Sequence, residues 1–378
     1  MQIRVDGVYH ILANLIVLAL LSMNVLRAKS FRAAPFSRAS HGRLVAAAFR
    51  KPSDNLGEPT KLCSSSGRCM ERNGMIRSMT TDVETGLTGQ RLVFEGASYM
   101  IPHPAKAQTG GEDACFVSSH SVGVFDGVGG WATLGVDTGL YSRELARLTA
   151  LNIEEQRNTT GSDAVDLVSA LEYALKNNPN TGSTTAVVAA WDPRGGLLRG
   201  ANLGDSGALC LRRDAAGEYF VLLRTAAQEH GFNFPYQLGT NCTDMPSDAE
   251  LFEFAPRAGD VLVLASDGVL DNLFEQDIID CVVETLASNN PEAVRRCAKK
   301  CAETAFNFSI DAERKGPWEE GARKAGKLER PWSPGGNSVL KDLEYQEIVK
   351  AYTGGKMDDI TVVAARFVSP PAPPASKL

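Results

Sequence analysis

Two apolar runs in this chain end in the same dipeptide. Val124-Phe125 leads into Asp126-Gly127, followed by Gly129, Gly130 and Trp131, and Leu264-Ala265-Ser266 leads into Asp267-Gly268. An apolar run that stops at a carboxylate and then at glycine reads as a strand whose end delivers an acid, with backbone free to turn sharply beside whatever that acid holds. One such ending means little. Two of them, in a chain that also offers Glu112, Asp113, Asp205, Asp271, Asp358 and Asp359, several placed at strand ends, call for a fold that gathers strand ends at one place. Carboxylates that converge repel one another unless a cation lies between them, so the pattern points to a metal cluster.

Composition narrows the alternatives. With 378 residues, 43% hydrophobic and 22% charged, the chain can bury one large core or two small ones. A net charge of -6 gives no global attraction for nucleic acid or acidic lipid. The eight cysteines contain no Cys-x-x-Cys pair, which argues against a zinc ribbon or a thioredoxin-like motif and leaves them as reduced, mostly buried small hydrophobes.

The first 52 residues differ from the rest. They hold one acid, Asp6, against Arg4, Arg27, Lys29, Arg32, Arg38, Arg43, Arg50 and Lys51, the composition of an organelle transit peptide. The apolar run Ile11 to Leu26 resembles a secretory h-region and is shorter than a spanning helix requires, so no stable transmembrane segment is expected in the mature protein. The expected location is the chloroplast, with the mitochondrion as the alternative. Residues 53–88 read as a linker or flexible arm, 89–368 as the catalytic domain, and 369–378, with Pro370, Pro371, Pro373 and Pro374, as a solvated tail.

Within 89–368 the periodicity predicts strands at Leu92 to Met100, Ala114 to Val117 and Ser121 to Asp126, then a helix from Gly139 to Gln156 and a second one starting at Ser162. Hairpin strands follow at Ser183 to Trp191, Leu197 to Leu203, Gly207 to Arg212 and Tyr219 to Leu223. A strand at Asp260 to Ala265, helices from Glu275 and Pro291, a polar inserted loop over 309–345 and a closing strand at Ile360 to Phe367 complete the domain. Helices in pairs and strands in hairpins predict an α+β fold of antiparallel sheets between helical layers.

The ordered motifs Gly111-Glu112-Asp113, Asp126-Gly127-x-Gly129-Gly130, Gly182-Ser183-Thr184-Thr185, Gly204-Asp205-Ser206, Ser266-Asp267-Gly268-x-x-Asp271-Asn272 and Asp358-Asp359-Ile360-Thr361 resemble those of the metal-dependent type 2C (PPM) serine/threonine protein phosphatases. Gln228-Glu229-His230, Pro235-Tyr236-Gln237-Leu238 and Gly354-Gly355-Lys356-Met357 are similar to the organellar subgroup, which includes a plant plastid phosphatase of photosystem II core proteins.

The resemblance implies two packed antiparallel sheets flanked by helix pairs, in four αββα layers. It also implies hydrolysis of phosphoserine and phosphothreonine in phosphoprotein substrates. Asp126 would bridge two Mg2+ or Mn2+ ions, with the Gly127 carbonyl as a further ligand. Asp267 and Asp358 would complete the first ion's site. Glu112 and Asp113 would act at the second, partly through water, and Asp205 with Asp271 would help hold a third, weaker ion. Asp359 is expected to face solvent, and Trp131 to pack.

The chemistry is coherent. Mg2+ and Mn2+ take oxygen ligands, whereas zinc favours His or Cys, and only five histidines exist, two of them, His10 and His41, in the leader. A pair of such ions activates water for in-line displacement with no covalent phosphoenzyme, and no cysteine here has an arginine six positions on, as a cysteine phosphatase loop would need. Two departures stand out. The family's usual Asp-Gly-His-Gly-Gly has Val128 at the histidine position, so a metal-bound water or another acid would serve instead, with His230 as one candidate donor. The arginine that binds substrate phosphate is missing, and Lys106, at an offset spacing, is the nearest upstream cation. A catalytically silent binding module of the same fold and a hydrolase of small phosphate esters are therefore the alternatives.

Overall fold

The run Ile360 to Phe367 shows almost no polar alternation, as expected of a strand covered on both faces. The computed structural model, which describes residues 92–160, 164–287, 290, 292–328 and 342–369, shows what covers them. One antiparallel sheet contains β1 (Val93–Ile101), β7 (Gly207–Arg213), β8 (Tyr219–Arg224), β13 (Val261–Ala265) and β14 (Ile360–Val368), in the order β1-β14-β13-β7-β8. The other contains β2 (Ala114–Val117), β3 (Ser121–Phe125), β5 (Ala186–Asp192), β6 (Leu197–Leu203) and β12 (Glu250–Phe254), in the order β12-β6-β5-β3-β2. Two short pairs stand beside them: β4 (Ser183–Thr184) with β11 (Leu238–Gly239), and β9 (Glu229–Gly231) with β10 (Phe234–Pro235).

Side chains alternate between two destinations, as the period of two along a strand requires. Val363, Ala365 and Phe367 of β14, Leu262 and Leu264 of β13, and Val187, Ala189 and Trp191 of β5 meet between the sheets. Val362 and Ala364, with Val261 and Val263, turn the other way, toward α3 (Asp267–Leu270), α4 (Glu275–Thr285) and α5 (Glu292–Ser309). On the opposite outer face Ala186, Val188 and Ala190 pack with Leu145, Leu148 and Leu171 of α1 (Thr138–Thr160) and α2 (Leu167–Asn177). The layers are therefore α-β-β-α, an α+β architecture.

Several boundaries depart from the sequence expectations. The polar stretch 309–345 contains α6 (Pro317–Lys324), started by Gly316 and by Pro317 at its first position, with Glu319 and Glu320 in the first turn and Arg323 and Lys324 in the last. A further helix, α7 (Asp342–Ala351), follows. The cap of α2 is Asp166, whose carboxylate accepts from Ser169 N at 3.1 Å, while Ser162 lies outside the described residues. The predicted strand from Ser183 breaks at Thr185 because β4 leaves the main sheet for β11. Strand β12 was not anticipated; it is an edge strand whose Leu251 is exposed. The leader, the arm and nearly all of the tail lie outside the described residues. Among the described residues no helix is long and apolar enough to cross a membrane.

Candidate functional site

Strand register decides where the acids go. The start of β2 faces the end of β3 (Ala114 with Phe125), β3 ends beside the start of β5 (Val124 with Val187), and β5 starts opposite the end of β6 (Ala186 with Leu203). In the other sheet the end of β13 faces the starts of β14 and β7 (Ala265 with Val362 and with Gly207). Glu112-Asp113, Asp126, Asp205, Asp267 and Asp358-Asp359 consequently leave strand ends at a single edge of the sandwich, and Asp271 joins them as the C-cap of α3.

The Gly182-Ser183-Thr184-Thr185 segment anchors the Asp126 turn. Thr184 Oγ1 donates to the Asp126 carbonyl at 2.7 Å, Asp126 N donates to Thr185 Oγ1 at 3.2 Å, and Val128 N donates to the Ser183 carbonyl at 3.0 Å. The hydroxyls of Thr185 and Ser206, 2.7 Å apart, tie this turn to the loop of Asp205. Gly127 is required by contact: a Cβ there would stand 2.5 Å from the Glu112 carbonyl. At Gly268 a Cβ would stand 2.1 Å from the Asp359 carbonyl. Both glycines let two acid-bearing segments pass backbone to backbone.

Asp359 does not face solvent; it is 3% exposed. Its Oδ1 accepts from His103 N at 2.7 Å, and its Oδ2 accepts from Glu112 N at 2.9 Å and from Lys106 Nζ at 3.2 Å. The loop from His103 to Glu112 covers the side of β14 that the expectation left open. Lys106 is correspondingly engaged rather than presented to a ligand: its Nζ also donates to Glu112 Oε2 at 2.5 Å. Burial opposes its charge, but Glu112 and Asp359 outweigh that and raise its pKa.

The remaining acids crowd one another. Burial, then repulsion from Asp267 and Asp113, pushes Asp126 well above the usual carboxylate range; burial and Asp267 do the same to Asp205. Burial and then Asp359 lift Asp113 to about 8. Asp271, buried and beside Asp267, rises to about 6 despite the nearby Lys356, and Asp358 is raised by burial and by Asp267. Of these, Asp267 alone goes down: burial opposes its charge, but Lys356, together with hydrogen bonding from Asp126 and the Gly268 backbone, outweighs that cost. Both oxygens of Asp113 and Oδ1 of Asp267 are buried without a hydrogen-bond partner, and unpaired buried acceptors of this kind are atoms a cation would satisfy. Among the described residues, however, no three acidic, His or Cys side chains close on one point as ligands of an ion.

Lys356, which has no role in the sequence reading, reaches into this cluster. Its ammonium contacts Asp267 Oδ2, lies 2.7 Å from Asp271 Oδ2 and 3.4 Å from Asp358 Oδ2, and sits 5.0 Å from the centre of the Trp318 ring. Asn272 pins its backbone, accepting from Lys356 N at 2.9 Å and donating to its carbonyl at 2.8 Å. The only signal in the sequence was position, two residues before Asp358.

His230 is placed elsewhere. Its Nε2 lies 3.0 Å from both oxygens of Asp244 and its ring stacks on Tyr236 at 4.3 Å, so it belongs to the hairpin of β9 and β10 rather than to the acid cluster. Trp131 is half-buried and donates from Nε1 to Ser183 Oγ at 2.7 Å, which braces the same turn as Asp126. Phe232, at the hairpin tip, packs on Trp318 of α6 with centroids 4.9 Å apart. A cavity of about 460 Å3 is lined by Asp205 and Asp271 together with Phe232, Trp318, Arg224 and Lys324.

Comparison with known proteins agrees with this architecture. Residues 138–308 match the family model of stage II sporulation protein E (SpoIIE). The chain is 36% identical over 301 residues to "Probable protein phosphatase 2C 80" of Arabidopsis thaliana, covering 79% of this chain but only 64% of that relative's length. It is 34% identical over 275 residues to "Probable protein phosphatase 2C 26" of the same plant, covering 72% of this chain and 83% of the relative. The X-ray structure of the photosystem II phosphatase PBCP superposes with a TM-score of 0.58 at 32% identity, covering 72% of this chain and 98% of that one. With its sandwich, its ordered acids and these relatives, the chain belongs to the protein phosphatase 2C family.

Proposed function

We propose that this chain hydrolyses phosphoserine and phosphothreonine esters of proteins with the help of two Mg2+ or Mn2+ ions. The observation that carries the reading is the gathering of Asp113, Asp126, Asp267 and Asp358 at one sandwich edge, with the buried, partnerless oxygens of Asp113 and Asp267 among them. This is an all-oxygen donor set suited to hard cations. Asp126, the Gly127 carbonyl, Asp267, Asp358, Glu112 and Asp113 are the residues that would hold the ions. Ions so held supply a water nucleophile at neutral pH and neutralise the phosphoryl oxygens.

The chain's own residues do the rest. Thr184 and Thr185 fix the backbone of Asp126, and Asp359 fixes the backbone of Glu112. Asp205 and Asp271 line the same cavity as Phe232 and Trp318, so residues flanking a phosphorylated side chain have room beside the acids. Val128 has no proton to give the leaving alcohol, and His230 is turned toward Asp244.

The reading extends to a plastid location and to phosphoproteins of the photosynthetic membrane as substrates. Its support is the acid-poor, basic first 52 residues and the likeness to a photosystem II phosphatase.

The test is phosphate release from a phosphothreonine peptide by the full chain with Mn2+, with Mg2+ and with chelator, beside Asp126→Asn. Turnover that needs the ion and disappears in Asp126→Asn is the expected result. Ion binding with no turnover of the peptide or of an aryl phosphate would make the chain a binding module, and turnover confined to small esters would make it a hydrolase of metabolites.

A further inference from the structure

We infer that Lys356 serves as a built-in cation at the place where Asp205 and Asp271 were expected to hold a third ion. The inference rests on the metal-centre reading above and concerns only how many ions that centre accepts. The ammonium lies among Asp267, Asp271 and Asp358, and its charge also acts on Asp205. An oxygen that accepts from an ammonium has a positive charge at its side that repels a second cation, and Oδ2 of Asp271 and Oδ2 of Asp267 are both so engaged. The two acids differ in what remains. Asp267 keeps a buried Oδ1 without a partner, free for the first ion, whereas the Asp271 side chain is 28% exposed.

The position of the lysine is built from both ends. Asn272, the neighbour of Asp271, takes both backbone hydrogen-bonding groups of Lys356, so the residue that needs neutralising and the residue that neutralises it are held by one side chain. At the far end Trp318 lays its ring over the ammonium, and Trp318 N donates to the Asp271 carbonyl at 2.9 Å. The side chain of Lys356 is 12% exposed. A lysine that left this place would abandon a cation–π contact and an ion pair in a site largely shut from water, both of which gain strength there. One fixed positive charge thus replaces a dissociable ion beside the groove.

The experiment is a titration of the metal-free full chain with Mn2+ alone, read by calorimetry for stoichiometry, with circular dichroism to verify folding. Wild type is expected to take up two ions, and Asp271→Asn is expected to leave that number unchanged. Lys356→Met, which keeps the length of the side chain and removes its charge, is expected to gain one weaker ion. Adding Asp271→Asn to it should lose that ion again. Three ions in wild type with one lost in Asp271→Asn, or a folded Lys356→Met that stays at two, overturns the inference while leaving the phosphatase reading intact. No Mn2+ bound at all overturns both. If Lys356→Met does not fold, the comparison of wild type with Asp271→Asn decides by itself.

Discussion

Asp359 Oδ2 accepts a hydrogen bond from the backbone of Glu112 at 2.9 Å across 247 residues of sequence, so the last acidic pair of the chain holds the first in place. Replacing Asp359 with Ala strands that amide and His103 N together, and leaves the Lys106 ammonium with Glu112 alone. The expected cost is about 3 kcal/mol of folding stability, since two backbone amides lose their acceptor. Urea denaturation of the two proteins in chelator would measure it, and a loss below about 1 kcal/mol would show that the clamp is dispensable.

The acid cluster makes stability depend on pH. Asp113 ionises at about 8 in the fold, against about 4 for an unfolded carboxylate. Between these values the folded chain holds more protons than the unfolded one. The stability present below the lower value is therefore lost as pH rises through the upper one. In chelator the melting temperature should fall between pH 5 and pH 8, and Mn2+ should flatten the trend by taking the place of the protons. A melting temperature that rises over that interval in chelator would contradict the arrangement.

Thr185→Val removes the hydroxyl that accepts from Asp126 N and meets Ser206, at nearly constant volume. The expected effect is a weakening of Mn2+ affinity by about tenfold, as for other residues that orient metal ligands from behind. Isothermal titration against wild type reads it directly, with little change foreseen in the far-UV circular dichroism.

Phe232→Ala takes away the hairpin's contact with Trp318. An aromatic pair of this kind contributes about 1 kcal/mol beyond its buried area, and its loss should loosen one wall of the groove. KM for a phosphopeptide should rise while turnover of a small aryl phosphate, which needs no wall, stays within about twofold of wild type. Equal losses on both substrates would place the role of Phe232 in folding instead.

The acids legible in the sequence were those that close an apolar run, because Asp126 and Asp267 each follow a strand that could be read by itself. Asp359 was misjudged for an instructive reason. Neighbouring residues in extended backbone point to opposite sides, so assigning Asp358 to the cluster sent Asp359 toward water, and nothing in the local pattern disclosed that residues 103–112 fold across that side. Lys356 escaped notice because a lone lysine ordinarily reads as solvated, and only the pairing of β13 with β14 brings Asp267 and Asp271 to it. Helix α6 carried legible start and stop signals at Gly316-Pro317 and Arg323-Lys324, but the Pro- and Gly-containing residues around it made the segment look like a loop.

The pairing of Val93 with Val368 has a consequence for timing. The first and last strands of the sandwich are neighbours, and contacts across so long a stretch of chain form late, after the entropy of closing the loop has been met. A nascent chain that lacks β14 has neither the Asp358 carboxylate nor the Asp359 clamp on Glu112. The full set of acids can therefore meet only once β14 is in place, and a chain still being synthesised carries no assembled catalytic centre.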